Sequence, residues 1–280
     1  MTDTNDKKQP KTWTESRERR ELIVSASQIS TAQTCVRKWW LERVRKLKLR
    51  EDPGKFVFGT VFHACAERFL LAHDTGRDRK TGKPVDLFPD GWMNEYSRYN
   101  PGEVTGTVSP EEAGIIKALV HKGIDTGVLA PYPDRIVEKD IGYTMGKVDT
   151  IDGMRPVTVR FMGFIDCASR NTIIDHKTSK SRKYFKSANK LSTDPQMLIY
   201  AKMTLDELKS LGLPHNEIVL RHNQFCKDPH DLHVRATEVT VTSRYVEQYW
   251  KTQVMPTIEK MVRFRDQANA WSDMPEPTTG

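Results

Sequence analysis

Three charged side chains sit where an ordinary strand would carry none. In residues 163–178, GFIDCASRNTIIDHKT, Asp166 lies among Phe161, Met162, Phe164 and Ile165; Ile173 and Ile174 run directly into Asp175, and Lys177 follows two residues later. Runs this apolar read as buried strands. Carboxylates inside or at the end of such strands cost desolvation energy unless something pairs with them. A divalent metal is the usual partner of clustered carboxylates, and a lysine beside it suits an anionic substrate. Side chains alternate across a strand, so Asp175 and Lys177 share a face, while His176 points away and leaves its carbonyl on the path between them. A neighbouring strand can bring Asp166 to the same end of the sheet. The set is then two oxygen ligands, a backbone carbonyl, and a cation that can hold a water or offset developing negative charge.

The elements that must position these groups read outward from them. Strands are predicted over 157–168 and 172–177, joined by a tight connection at Ser169, Arg170 and Asn171. An earlier strand, 135–143, carries Glu138. Residues 55–73, KFVFGTVFHACAERFLLAH, have helical apolar spacing, and His63 shares a face with Gly59, where glycine lets a ligand or another backbone come close. Taken alone, such a histidine is more often a hydrogen-bonded core residue than a ligand. Asp194 and Pro195 open a helix on which Gln196 and Tyr200 share a face. Ser109, Pro110, Glu111 and Glu112 start another, running to about Gly127, with a cap, a first-turn proline and acids at the positive end.

Elsewhere the pattern predicts a helix from an N-cap at Ser27 to about Val44, and a short helix over 92–99 within a loop-rich stretch, 74–108. Strands are expected at 216–225 and 232–241, then a long final helix over 243–269 with a kink at Pro256. Residues 1–22 read as a flexible polar arm, 23–270 as one domain and 271–280 as a flexible tail.

With 44 Lys and Arg against 37 Asp and Glu, the chain carries a net charge of +7 and a sequence pI near 9.1, a balance that favours a polyanionic partner, nucleic acid first. Two basic stretches contain aromatics. The first holds Arg37, Lys38, Arg43, Arg45, Lys46, Lys48 and Arg50 around Trp39 and Trp40; the second, SKSRKYFKSANKL at 179–191, holds Tyr184 and Phe185. Each reads either as a nucleic-acid backbone contact or as a solvated segment, the tryptophans being core. No apolar run approaches the roughly 18 residues of a membrane span, and the N-terminus has no signal-peptide core, so a cytoplasmic protein without membrane contact is expected. Cys35, Cys65, Cys167 and Cys226 form no CxxC pair and read as free thiols.

In this order, Gly59 with His63, Gly163 with Asp166, Asp175 with Lys177, and Gln196 with Tyr200 resemble the RecB-like branch of the PD-(D/E)XK nuclease superfamily, which includes RecB and AddB nuclease domains, CRISPR-associated RecB-like exonucleases and phage recombination exonucleases. The resemblance spans about 25–205. It implies an α/β, restriction-endonuclease-like fold: a central mixed sheet flanked by helices, with an N-terminal helical segment. It implies that Asp166 and Asp175 bind Mg2+ or Mn2+ with the His176 carbonyl as a further ligand, and that Lys177 orients or activates the attacking water. It makes His63 a ligand or its neighbour, Gln196 and Tyr200 positioning groups, and Glu138 an additional acidic ligand. The implied activity is hydrolysis of DNA phosphodiester bonds, as an exonuclease in recombination, repair or phage DNA processing. A homo-oligomer, or a partner such as an annealing protein or helicase, stands open by analogy.

Two departures from the family are visible. Several relatives hold an iron–sulfur cluster with one N-terminal and three C-terminal cysteines; Cys35 matches the first position and no cysteine follows Cys226, so no cluster is expected. There is also no Walker-type phosphate loop. Gly146 with Asp149 repeats the GxxD spacing, but Asp166 is preferred because its strand feeds the Asp175 strand. His222, Cys226, His230 and His233 fit no common zinc spacing. A non-cleaving module of the same fold, and a metal-dependent hydrolase of another substrate, remain the alternatives.

Overall fold

The computed structural model describes residues 21–47, 57–72, 86–97, 108–130, 134–150 and 156–272. The chain divides into two compact units, one of Leu49–Asp140 and Phe164–Tyr249, the other of Met1–Lys48, Ile141–Gly163 and Trp250–Gly280. Among the described residues, six strands form one mixed sheet in the order β1-β3-β4-β5-β6, with β2 also paired to β3. They are β1 (Glu21–Val24), β2 (Ile136–Val148), β3 (Val157–Ser169), β4 (Thr172–Ser179), β5 (Glu217–Cys226) and β6 (His233–Thr242). β1 runs parallel to β3, β3 antiparallel to β4, β4 parallel to β5 and β5 antiparallel to β6. With helices on this mixed sheet, the fold is the restriction-endonuclease-like α/β arrangement.

In the larger unit the core lies under two helices. The helix α3 (Val57–Ala72) buries Phe58, Val61, Phe62 and Cys65 against Ile116, Leu119 and Val120 of α5 (Pro110–Asp125) and Phe225 of β5. The predicted start of α5 is present as a full capping box: the Glu112 N–H donates to Ser109 Oγ and the Ser109 N–H to Glu112 Oε2. Between them lies α4 (Trp92–Ser97). The parallel β4–β5 pair needs a crossover, which α7 (Pro195–Ser210) supplies.

The predicted basic loop at 179–191 is more regular than its composition suggests. It contains a 3-10 turn (Arg182–Tyr184) and the single-turn helix α6 (Ala188–Leu191), with Ser181 and Ser187 as caps. The last helix of this unit is α8 (Ser243–Tyr249).

The smaller unit corrects three expectations. Residues 21 and 22, assigned by their polar surroundings to an arm, belong to β1, whose Leu22 and Val24 are buried; residues 1–20 lie outside the described residues. The N-cap of α1 (Ala26–Thr34) is Ser25, not Ser27, and its side chain accepts from the Gln28 N–H. The helix does not continue to Val44. Cys35 is extended at φ −161°, and its Sγ accepts from the Lys38 N–H to start a fresh turn, α2 (Val36–Trp39), followed by a π turn (Trp40–Val44). A second π turn (Trp250–Val254) precedes α9 (Met255–Ser272), which holds Pro256 in its first turn, where proline's ring and missing N–H disturb a regular α ladder. Trp39 is fully buried and donates from Nε1 to Gln28 Oε1, while Arg265 donates to the Glu21 carbonyl. Residues 273–280 of the expected tail lie outside the described residues.

Candidate active site

The β3–β4 ladder pairs Ser169 with Thr172, Ala168 with Ile173 and Cys167 with Ile174, and ends there. The next residues are Asp166 and Asp175. The His176 N–H donates to Asp166 Oδ2 at 2.7 Å, so a carboxylate takes the place of a ladder acceptor. On the other side of β4, the parallel register sets His222 beside Asp175 and Gln224 beside Lys177.

Lys177 Nζ donates to Asp175 Oδ1 at 3.0 Å and lies 2.9 Å from Oδ2. It also donates to Gln196 Oε1 at 3.3 Å. Gln196 Nε2 donates to Asp175 Oδ1 at 3.2 Å and to the Tyr200 hydroxyl at 3.3 Å. His63 Nδ1 lies 3.3 Å from Asp166 Oδ2. Asp175 is buried, whereas the Lys177 side chain keeps 41% of its surface exposed, so the cation borders solvent and its partner does not. The structure thus brings His63, Asp166, Asp175, Lys177, Gln196 and Tyr200 into one connected cluster.

The electrostatics follow from burial and from which charges meet. Burial raises the Asp166 carboxyl, but the His63 charge and hydrogen bond, with help from His176 and Lys177, outweigh it and hold it well below the usual range. Asp175 goes the other way: burial and then the Asp166 charge push it up to about 6 in spite of Lys177. Burial opposes the charge on Lys177, yet Asp175 and Asp166 more than compensate and the ammonium is stabilised. His63 is raised because Asp166 outweighs its own burial. Tyr200 is pushed up to about 12 by burial.

Glu138 is pushed up to about 7 by burial and then by the charges of Asp166 and Glu67, which ties it to the same centre; its φ of +49° is unusual for a non-glycine residue. The His176 side chain is buried, with its ring 6.1 Å from that of His63 and 6.3 Å from that of Phe225, and burial lowers it to about 4. The competing Asp149 is exposed.

Some members of the centre have no local sequence signal. His222 lies 3.6 Å from Asp175 Oδ2 only because of the β4–β5 register. Asp194, readable as a cap, also forms an ion pair with Lys186. Gln224 accepts from the Lys186 N–H and donates to its carbonyl, tying the basic segment to β5. Lys183 stacks over Tyr184, whose ring is largely exposed, and Arg182 pairs with Asp231.

Among the described residues, no three His, Cys, Asp or Glu side chains form a group that would hold a metal by themselves. The centre nevertheless suits a hard divalent ion. Asp175 Oδ2 is buried with Lys177 Nζ at 2.9 Å as its charged neighbour, and burial favours the neutral acid, a preference that a further cation reverses. Mg2+ keeps several waters and takes only one or two protein carboxylates alongside substrate phosphate, which the Asp166 and Asp175 pair can supply. No helix among the described residues is long and apolar enough to cross a membrane.

No curated protein matches the chain. Among solved structures, the crystal structure of SSO0001 is similar at 12% identity over 82% of this chain and 84% of that chain, with a TM-score of 0.24, too loose a superposition to support an argument. The family model of the PD-(D/E)XK nuclease superfamily matches residues 23–271, a span that contains the whole carboxylate–lysine cluster, and the chain belongs to that superfamily.

Proposed function

We propose that the protein is a metal-dependent deoxyribonuclease of the RecB-like branch, acting as an exonuclease in recombination, repair or phage DNA processing. The observation that carries this reading is the Asp175, Lys177 and Gln196 triangle beside Asp166. A Mg2+ or Mn2+ ion held by Asp166, Asp175 and the His176 carbonyl, with His63 and Glu138 beside them, would polarise the phosphodiester and lower the pKa of a water. The chain's own groups do the rest. Lys177, kept protonated by two carboxylates and open to solvent, acts as a cation and hydrogen-bond donor: it orients the attacking water and offsets charge gathering on the scissile phosphate. Gln196 holds Lys177 and Asp175 in register from α7, and Tyr200 holds Gln196. His63 secures Asp166 in its ionised form from α3. The net charge of +7 suits sequence-independent phosphate contacts, as an exonuclease needs.

The deciding experiment is cleavage of end-labelled single- and double-stranded DNA in Mg2+, Mn2+ or EDTA, with Lys177→Ala and Asp175→Ala alongside. Cleavage that needs the metal and disappears in both variants is expected, and the released label gives the polarity. Binding without cleavage under every metal would instead favour a non-cutting module of the same fold.

A further inference from the structure

We propose that His222 is a positioning residue for this centre: its Nε2 holds Asp175 through Oδ2 and thereby sets the affinity for the divalent ion. The proposal rests on the metal-dependent reading above. His222 is 1% exposed and Asp175 2% exposed. Neither ring nitrogen of His222 has a hydrogen-bond partner, and its Nε2 faces Asp175 Oδ2 at 3.6 Å, an oxygen whose other neighbour is Lys177 Nζ at 2.9 Å. Buried polar atoms left unpaired are costly and rare, so an imidazole with both nitrogens unpaired beside a buried carboxylate calls for an explanation. An apolar side chain would fill the same space on β5 without the desolvation cost.

The geometry narrows the role further. Oδ1 of Asp175 accepts from Lys177 and Gln196, which reach it from β4 and α7, while Oδ2 lies between Lys177 Nζ at 2.9 Å and His222 Nε2 at 3.6 Å. Oδ2 is the oxygen that leans toward β5. The backbone at His222 is fixed on both sides, by Asp175 on β4 and by Thr237 on β6. Only the side-chain torsions need to adjust to close 3.6 Å to the roughly 2.9 Å of a hydrogen bond. A carboxylate held in this way presents its oxygens in one orientation, and removing such an outer partner typically weakens metal binding about 10–100-fold.

The test measures Mn2+ binding to the DNA-free protein by calorimetry, together with melting temperature and the kcat and KM of cleavage. His222→Phe removes both nitrogens while filling the space. His222→Gln places an amide nitrogen near the Nε2 position, and His222→Asn places one near Nδ1. The expected result is a Kd for Mn2+ weakened about 10–100-fold in His222→Phe, a melting temperature within a few degrees of wild type, and a fall in kcat with KM for DNA unchanged. His222→Gln should recover most of the affinity and His222→Asn should not. Wild-type affinity in His222→Phe overturns the proposal. If His222→Phe does not fold, equal Mn2+ affinities in His222→Gln and His222→Asn overturn it instead. A wild-type protein that binds no Mn2+ removes both this proposal and the metal-dependent reading; one that binds and cuts, with His222→Phe indistinguishable from it, removes this proposal alone.

Discussion

At the scale of single residues, Lys177 and Asp175 are opposites that depend on each other. The lysine is half-exposed and firmly charged, while the aspartate is buried and pushed toward neutrality. Lys177→Met should therefore keep the fold, because the side chain borders solvent, yet cut the cleavage rate by about 10²–10³, the usual effect of losing one preorganised donor; a loss under threefold in a single-turnover assay would remove Lys177 from the chemistry. Glu138 makes a pH-dependent prediction. Its folded pKa, raised to about 7, means that the charged form is disfavoured in the folded state. The stability it contributes is complete below the ordinary glutamate pKa and lost as pH rises through about 7. Glu138→Gln, melted in EDTA, should match wild type at pH 4 and exceed it by about 2–4 °C at pH 8, the equivalent of about 1 kcal/mol in a chain of this size. Equal melting temperatures at pH 8 would contradict the burial argument.

At the scale of elements, α7 matters most because it carries Gln196 and Tyr200. Its first turn is held by Asp194, whose Oδ1 accepts from the N–H groups of Gln196 and Met197 and whose Oδ2 pairs with Lys186. Burial raises Asp194, but the Lys186 hydrogen bond and charge, with the Met197 N–H, outweigh it and the net shift is down. Its stabilisation is thus present above the ordinary carboxylate range and lost as pH falls through the lowered folded pKa. Asp194→Ala should cost about 1–2 kcal/mol at pH 7 by urea unfolding, with the gap narrowing below about pH 4. A second element-level test is Gly123 on α5, where an added Cβ would come within 2.9 Å of Leu129 and 3.0 Å of Phe225. Gly123→Ala should destabilise by about 1–3 kcal/mol through overpacking, outweighing alanine's better helix propensity; a rise in stability would show that Leu129 yields freely. What was legible in the sequence follows from range. β3, β4 and α5 announce themselves through apolar runs and a capping box of adjacent residues. The break at Cys35 was not legible, since it depends on a thiol accepting a backbone N–H. Nor was β1, four residues long and completed only by a parallel partner far along the chain. The order at 182–191 was hidden too, because Gln224 and Asp194 impose it from outside the segment. Asp175, Lys177, Gln196 and Tyr200 could be picked out by spacing, and the structure joins them by hydrogen bonds; His222 could not, because nothing local reveals which β5 residue the register puts beside Asp175.

At the scale of the whole molecule, the net charge of +7 makes salt a probe of substrate class. Each phosphate neutralised should add about 0.9 to the slope of log affinity against log salt for duplex DNA. A slope of several units is expected in a gel-shift series with EDTA present, and a flat response would favour a small or uncharged substrate. The division of the chain has another consequence. The unit containing β1 is assembled from three separated stretches of the sequence, and within it Arg265 reaches back to Glu21 across 244 positions. The unit containing Asp166, Asp175 and Lys177 is finished by Tyr249. In a chain synthesised from its N-terminus, therefore, every residue of the carboxylate–lysine cluster precedes α9, while α1 and α2, which pack against α9, still lack that partner. Until α9 emerges, that first segment is a client for whatever shields nascent apolar chain.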